Sequence, residues 1–306
     1  MNSKKQIARN ADLIPSKLRR LGEMKGFEYA LPNRQEEYRY IEDKFRSVAE
    51  SFGYREVDGP LLQPIEFYAV KSGDDLLQHT YAFTDQSKRT YLLRPELTPT
   101  LAYMIASNEG VLTFPLRWWS NPTIFRKENP QKGRRRQFKQ LNIDFFDLDN
   151  SGKNPSYADA EIISLAASIF KSFGLDEKEV VIKINSRALM NILFDYIGIN
   201  QDARQAVLSA IDANEKITKE QFNLLLTKVG LTTTQKGLLS KWGKLESLEE
   251  ITHHNKFSAL ASSDEFSNLK EVFSLLKLYG FRNYCEFSPL IVRGLGYYTG
   301  MVFETF

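Results

Sequence analysis

Residues 118–148 read WWSNPTIFRKENPQKGRRRQFKQLNIDFFDL. Two runs of strand-forming residues, Trp118 to Glu128 and Gln137 to Leu148, flank a basic tip, the pattern of an antiparallel hairpin. Residues two apart in a strand share a face. Glu128, Arg126 and Ile124 therefore fall together on the first strand. On the second, Phe138, Gln140, Asn142 and Asp144 fall on one face and Leu141, Ile143 and Phe145 on the other. One side of the hairpin suits a core; the other offers a guanidinium, two carboxylates, an amide and an aromatic ring. Antiparallel sheets often keep one wet face, but such faces are usually built of Lys, Glu, Thr and Ser. An Arg-x-Glu opposite Phe-x-Gln-x-x-x-Asp is more directional. The guanidinium suits bidentate phosphate contact, a carboxylate two residues along can accept from a base amino group, and the ring can stack on a purine. Gln140 and Asp144 could then hold the amine end of a second, small substrate.

The charge pattern points the same way. The 306 residues carry 41 Lys+Arg and 38 Asp+Glu, a formal net charge of only +3. Between Arg126 and Lys139, Arg126, Lys127, Lys132, Arg134, Arg135, Arg136 and Lys139 lie against one acid, Glu128, so seven minus one leaves +6 on these 14 residues and −3 on the rest. A local basic knot in a near-neutral chain marks a phosphate-binding surface. Composition bounds the remainder: 42% hydrophobic and 26% charged residues describe a folded globular chain. The length suggests roughly two domains. The longest apolar stretches, about nine residues, are far short of a membrane span, and the basic N-terminus has no apolar signal core. One cysteine, Cys285, leaves no disulfide framework, and three histidines give little material for a zinc site. A soluble, cytoplasmic chain without a resident metal is expected.

Outward from the hairpin, Asn33 and Glu36 suggest an N-cap box for a helix that carries Tyr38, Ile41, Phe45, Val48 and Phe52 and stops at Gly53. Short strands are expected around Val57, Tyr81 to Phe83 and Tyr91 to Leu93, and a helix over Pro99 to Ala106. Residues 149–155 read as a loop. A helix over Tyr157 to Phe173 follows, then a strand from Val180 to Ile184 with Asn185 capping the next helix. Residues 200–278 show only helical patterning, and strands return at Leu290 to Val292 and Tyr298 to Phe306. The fold class is α+β: an antiparallel sheet flanked by helices, with an all-helical insertion. The expected divisions are a core over 1–195, an insertion over 196–278, and a return to the core over 279–306. Trp118 and Trp119 read as core and sheet-edge packing, Cys285 as a small buried hydrophobe, and His253-His254 as a solvated connector. Arg293, between Val292 and Gly294, needs a ligand or an ion pair.

Phe125-Arg126-Lys127-Glu128 with Gly133-Arg134-Arg135-Arg136-Gln137-Phe138 resembles the second signature motif of class II aminoacyl-tRNA synthetases. Gly53-Tyr54-Arg55-Glu56 and Pro60 fit the first, whose helix and strand build the dimer interface in that family. Leu93-Arg94-Pro95-Glu96-Leu97-Thr98-Pro99, residues 126–140, and Arg293-Gly294-Leu295-Gly296-Tyr297-Tyr298-Thr299-Gly300 together resemble the histidyl-tRNA synthetase family. The likeness runs from about residue 25 onward.

The resemblance implies roles. Arg126 would hold the ATP α-phosphate, Glu128 the adenine amino group, and Phe138 would stack on adenine. Glu96, Thr98 and Gln140 would bind the α-amino group of histidine, Asp144 and Tyr297 the imidazole, and Tyr298 would line the pocket. Arg293 would contact carboxylate and α-phosphate and stabilise developing charge. Lys132, Arg134 and Arg135 would meet ATP phosphates or the tRNA acceptor stem. The implied reaction is adenylate formation from Mg²⁺-bound ATP followed by transfer to the 3′ end of tRNA(His), in a homodimer. The chain departs from the family pattern at Tyr103, where Arg is common, and at Gly296, where Asp is usual. It also stops at Glu304-Thr305-Phe306 inside a strand pattern, before a third motif and an anticodon-binding domain, which implies a catalytic portion cut short. The competing family member is the regulatory subunit of ATP phosphoribosyltransferase, which binds histidine and aminoacylates nothing. It generally lacks the helical insertion and has a degraded ATP motif. A synthetase-derived RNA-binding or sensor module is a third reading.

Overall fold

The computed structural model describes residues 24–68, 79–148, 156–214, 217–293 and 298–306. The chain forms two compact units, Met1–Asp147 and Leu148–Phe306. This division differs from the expected boundaries at 195 and 278.

In the first unit, helix α1 (Pro32–Ser51) starts with Pro at its first turn and Leu31 as N-cap, without a side-chain cap. The expected Asn33 box is not used: Pro32 has no N–H to satisfy and its fixed φ already suits the first turn. Gly53, at φ 83°, ends the helix as expected. Phe45 and Ala49 of α1 are buried, and Phe45 meets Trp119 edge-on at 5.9 Å. Ile41, expected on the same stripe, is exposed.

Strand β1 (Arg55–Glu56) pairs in parallel with β5 (Leu116–Ser120). The other edge of β5 pairs antiparallel with β8 (Asn142–Phe146), placing Trp118 opposite Asp144. A second sheet has the order β2 (Leu62–Pro64), β4 (Thr90–Leu93), β3 (Tyr81–Thr84), all antiparallel. Strands β6 (Thr123–Phe125) and β7 (Gln137–Lys139) form a separate ribbon, and α2 spans Thr98–Ser107.

Each long strand expected around the basic tip is thus broken in two. Pro122 cannot donate to a ladder, but its carbonyl accepts from Gln140 N at 3.1 Å, so the chain changes partners at this step. The expected in–out alternation is lost beyond it: all five residues of β8 are half-buried.

The second unit is helix-rich. Helix α3 (Ser156–Ser172) leads to β9 (Ile182–Ser186), the centre of a three-stranded sheet with β10 (Cys285–Phe287) parallel and β11 (Met301–Thr305) antiparallel. Helices α4 (Arg187–Tyr196), α5 (Gln201–Ala213), α6 (Lys219–Lys228), α7 (Thr233–Trp242), α8 (Leu248–His253) and α9 (Asp264–Leu278) follow β9. Residues of α3, β9, α4 and these later helices share one continuous core around Phe194, Trp242 and Phe257. The helical block therefore shares its core with the rest of this unit. Capping boxes at Thr218/Gln221 and Thr232/Gln235 start α6 and α7.

Strand β9 runs two residues further than expected. Ser186, not Asn185, caps α4, its Oγ accepting from Leu189 N at 3.2 Å. Asn185 is buried and its Nδ2 donates to Pro289 O at 3.0 Å and Ile291 O at 3.1 Å. Those side-chain bonds take the place of a ladder, so residues 290–292 are not a strand despite their composition. Cys285 is buried as expected, and burial pushes its thiol up to about 12. His253 is exposed, but His254 stacks on Phe257 at 4.6 Å and so packs as well as connects. The loop expected at 149–155 lies outside the described residues.

Candidate functional site

In the first unit the turn Arg94-Pro95-Glu96 is a structural knot. Arg94 is 3% exposed. Its Nη1 donates to Asp58 Oδ1 and Gly59 O, each at 2.6 Å, and its Nε to Thr123 O at 3.0 Å. One guanidinium therefore ties the end of the α1–β1 region to the strand that precedes Arg126. The carbonyls of the turn are also used: Phe125 N donates to Arg94 O at 3.0 Å, Arg126 Nε to Pro95 O at 3.0 Å, and Tyr68 Oη to Glu96 O at 2.9 Å. Tyr68 is fully buried, and burial raises its hydroxyl pKa, so it stays a donor to the Glu96 backbone. Sequence reading had no place for Tyr68; its only signal was an aromatic ring in an otherwise ambiguous segment.

Arg126 and Phe138 are brought together as the strand faces imply. Ile124 pairs with Phe138, and the Arg126 guanidinium lies over the Phe138 ring at 5.5 Å. Glu128 is half-buried, and its backbone carbonyl accepts from Arg136 Nε at 2.9 Å. At the tip, Gln131 and Arg134 bridge across Lys132-Gly133, and Gly133 has φ 79°. Positive φ at the second central residue is why glycine stands there. Lys132 and Arg134 are exposed. Arg135, grouped with them from sequence, instead pairs with Glu28 and with Tyr38 Oη, so much of its charge is spent inside the unit.

Gln140 Oε1 and Asn121 Oδ1 are buried and have no protein hydrogen-bond partner. A buried acceptor left unsatisfied costs about 1–3 kcal/mol, which a charged donor on a ligand would recover. Glu96 and Asp144 are half-buried, and Thr98 is exposed at the first turn of α2.

In the second unit Arg293 has φ 49°, a left-handed conformation that is unusual for a side-chain-bearing residue. Its Nη1 donates to Glu304 Oε1 at 2.8 Å, which is the partner its setting demanded. Burial works against its charge, but Glu304 and Tyr298 outweigh burial and raise its pKa. Tyr298 is half-buried between two clefts. One, of about 370 Å³, is lined by Arg187, Asn191, Arg204 and Gln205 among others; the second, of about 400 Å³, by Ser156, Asp159, Ser186 and Glu265. Burial pushes Asp159 up to about 6. Asp159 and Arg187 were not anticipated; both sit in helical first turns that read as ordinary amphipathic helix. Tyr297 and Gly296 lie outside the described residues. Among the described residues no group of three His, Cys, Asp or Glu could hold a metal ion, and no helix is long and apolar enough to cross a membrane.

The mixed sheets flanked by helices, with the Arg94 turn and the Arg126–Phe138 ribbon, define a class II aminoacyl-tRNA synthetase fold. Within that class the chain belongs to the histidyl-tRNA synthetase family, whose model matches residues 26–306. It is 36% identical over 287 residues to the histidine–tRNA ligase of Thermoplasma volcanium, covering 92% of this chain and 64% of that protein. The crystal structure of histidyl-tRNA synthetase from Nostoc sp. PCC 7120 superimposes with a TM-score of 0.80 at 26% identity, over 93% of this chain and 64% of that one. A Bacillus halodurans structure titled as an ATP phosphoribosyltransferase regulatory subunit/histidyl-tRNA synthetase shares the fold, with a TM-score of 0.75 at 22% identity over 93% of this chain and 72% of that one. The chain thus spans about 64% of the length of the curated relatives it matches.

Proposed function

We propose that the chain carries the amino-acid-activating portion of a histidine–tRNA ligase. A histidine carboxylate oxygen attacks the ATP α-phosphorus, pyrophosphate leaves, and the resulting adenylate passes histidine to the 3′ end of tRNA(His), releasing AMP. Arg126 holds the α-phosphate and Arg293 the carboxylate and α-phosphate. Both neutralise charge as it develops, and alignment does the remaining work without a protein nucleophile. Glu128 reads the adenine amino group, Phe138 stacks on the base, and Arg134 meets the outer phosphates. Glu96, Thr98 and Gln140 bind the α-amino group, and Asp144 and Tyr297 bind the imidazole beside Tyr298. Lys132 and Arg135 face the acceptor stem, Arg135 with reduced reach because of its ties to Glu28 and Tyr38. Mg²⁺ would arrive with the nucleotide, carried mainly by its phosphates. The enzyme would work in the cytoplasm as a homodimer through α1, whose Leu31, Tyr40 and Ile41 are 75%, 56% and 41% exposed.

The observation that carries this reading is the unsatisfied, buried Gln140 Oε1 two residues from the Phe138 ring that holds Arg126. An acceptor awaiting an ammonium, next to an arginine awaiting a phosphate, fits amino-acid activation. The regulatory-subunit reading stays in view because the Bacillus halodurans fold covers 93% of this chain, so the helical block alone does not separate the two. The complete Arg126, Glu128 and Phe138 set favours the ligase. Histidine-dependent ATP–pyrophosphate exchange decides between them, measured on this chain and on one extended to the relatives' full length. Exchange specific to histidine is expected in the longer chain. Histidine binding without exchange there would hand the site to the regulatory role.

A further inference from the structure

Arg187 is 5% exposed and stands at the first turn of α4, directly after the Ser186 cap. Its backbone N–H donates to Gly300 O at 2.9 Å. Its Nη1 donates to Arg293 O at 3.1 Å, and its Nη2 to Gln205 Oε1 on α5 at 2.7 Å. One residue therefore grips both ends of the 293–300 segment, the backbone of Arg293 at one end and of Gly300 at the other. The same planar fork reaches a helix of the 201–278 block. Arg293 is held at φ 49°, a conformation that persists in a side-chain-bearing residue only when its surroundings over-determine it. The Arg187 bond to its carbonyl is such a constraint, and the Arg293–Glu304 pair from β11 is a second.

We propose that Arg187 is a positioning residue that holds Arg293 in its left-handed conformation and, through Gln205, makes that conformation depend on the packing of α5. The proposal rests on the reading of Arg293 as the arginine that meets the reacting carboxylate. The guanidinium plane matters because two of its nitrogens serve acceptors on different elements; a lysine ammonium lacks that fixed fork. Burial also lowers the Arg187 pKa, as expected of a group kept for its geometry at the expense of hydration.

Amide hydrogen exchange compares the wild-type chain with Gln205→Leu and Arg187→Met, each checked for native far-UV circular dichroism. The expected result is at least tenfold faster exchange in peptides covering 291–300, with peptides of β9 and α9 within twofold of wild type. Gln205→Leu, at an exposed position on α5, keeps the test valid should Arg187→Met fail to fold. Unchanged exchange at 291–300, or a uniform rise across the second unit, would overturn the clamp. In parallel, pyrophosphate exchange by Gln205→Leu should fall at least fivefold at saturating histidine, with the KM for histidine within twofold. A released segment with a full exchange rate would overturn the positioning role. A wild-type chain and full-length form that never exchange would sink the ligase reading, and the amide exchange would still decide the clamp.

Discussion

Asp159 shows how burial converts one residue into a pH dependence. Its carboxyl rises from an ordinary 3.8 to about 6 through burial. The native state then holds the proton more tightly than the unfolded chain, so stability falls as pH rises from about 4 to about 6 and is level above. A rise of that size corresponds to a ceiling of about 3 kcal/mol. Asp159→Asn should therefore gain on wild type across that window and be more stable at pH 7.5 by about 2 kcal/mol, read from urea midpoints at pH 4.5 and 7.5. Equal differences at both pH values would place the titration elsewhere. Arg94 is a different case, a buried guanidinium whose N–H groups are met by the Asp58 carboxylate and by the carbonyls of Gly59 and Thr123. Asp58 is 59% exposed on its side chain, so the ion pair is partly screened and the carbonyl bonds matter more. Arg94→Met should lower stability by about 2–3 kcal/mol, measured by chemical denaturation. It should also weaken ATP binding, because Pro95 O, which receives Arg126 Nε, shifts with the turn. A loss below 0.5 kcal/mol would contradict the knot.

At the scale of the element, the β6–β7 ribbon and its tip combine two kinds of cation. Lys132 and Arg134 project from a turn that Gly133 makes possible, whereas Arg135 and Arg136 are bonded inward to Tyr38 Oη and to Glu128 O. On the proposed function, removing the outward pair, Lys132→Ala with Arg134→Ala, should weaken tRNA binding and flatten its dependence on log salt by about 1.5–2, with little change in stability. Arg135→Ala should do the reverse, lowering stability more than it changes the salt slope. Equal salt effects from both variants, in filter-binding titrations, would mean the inward bonds do not persist in solution. The +6 of this hairpin was readable from residue counts. Which cations face outward was not, because Glu28 is more than a hundred residues from Arg135 in sequence.

At the scale of the whole molecule, α1 leaves Ile41 exposed, and a homodimer through α1, as proposed above, would bury it. Ile41→Asp should shift the sedimentation profile from dimer to monomer and, in an exchange-competent chain, lower histidine activation more than tenfold. A monomeric wild type would remove α1 from the interface.

The α+β class, the order of most elements, the basic hairpin and the pairing of Arg126 with Phe138 are legible in the amino-acid order. All of these rest on spacings of two to four residues, which fix faces and caps locally. Tertiary structure alone decided where the long strands break, that Asn185 is a buried strut and not a cap, and that Arg94 is a clamp. It also decided that the helices of 201–278 share the core of α3 and β9, and that Arg187 joins Arg293 to α5. Those outcomes depend on hydrogen bonds and burial between residues 18 to 106 positions apart. A buried polar group takes whichever partner the packing brings to it, and local spacing carries no record of that partner.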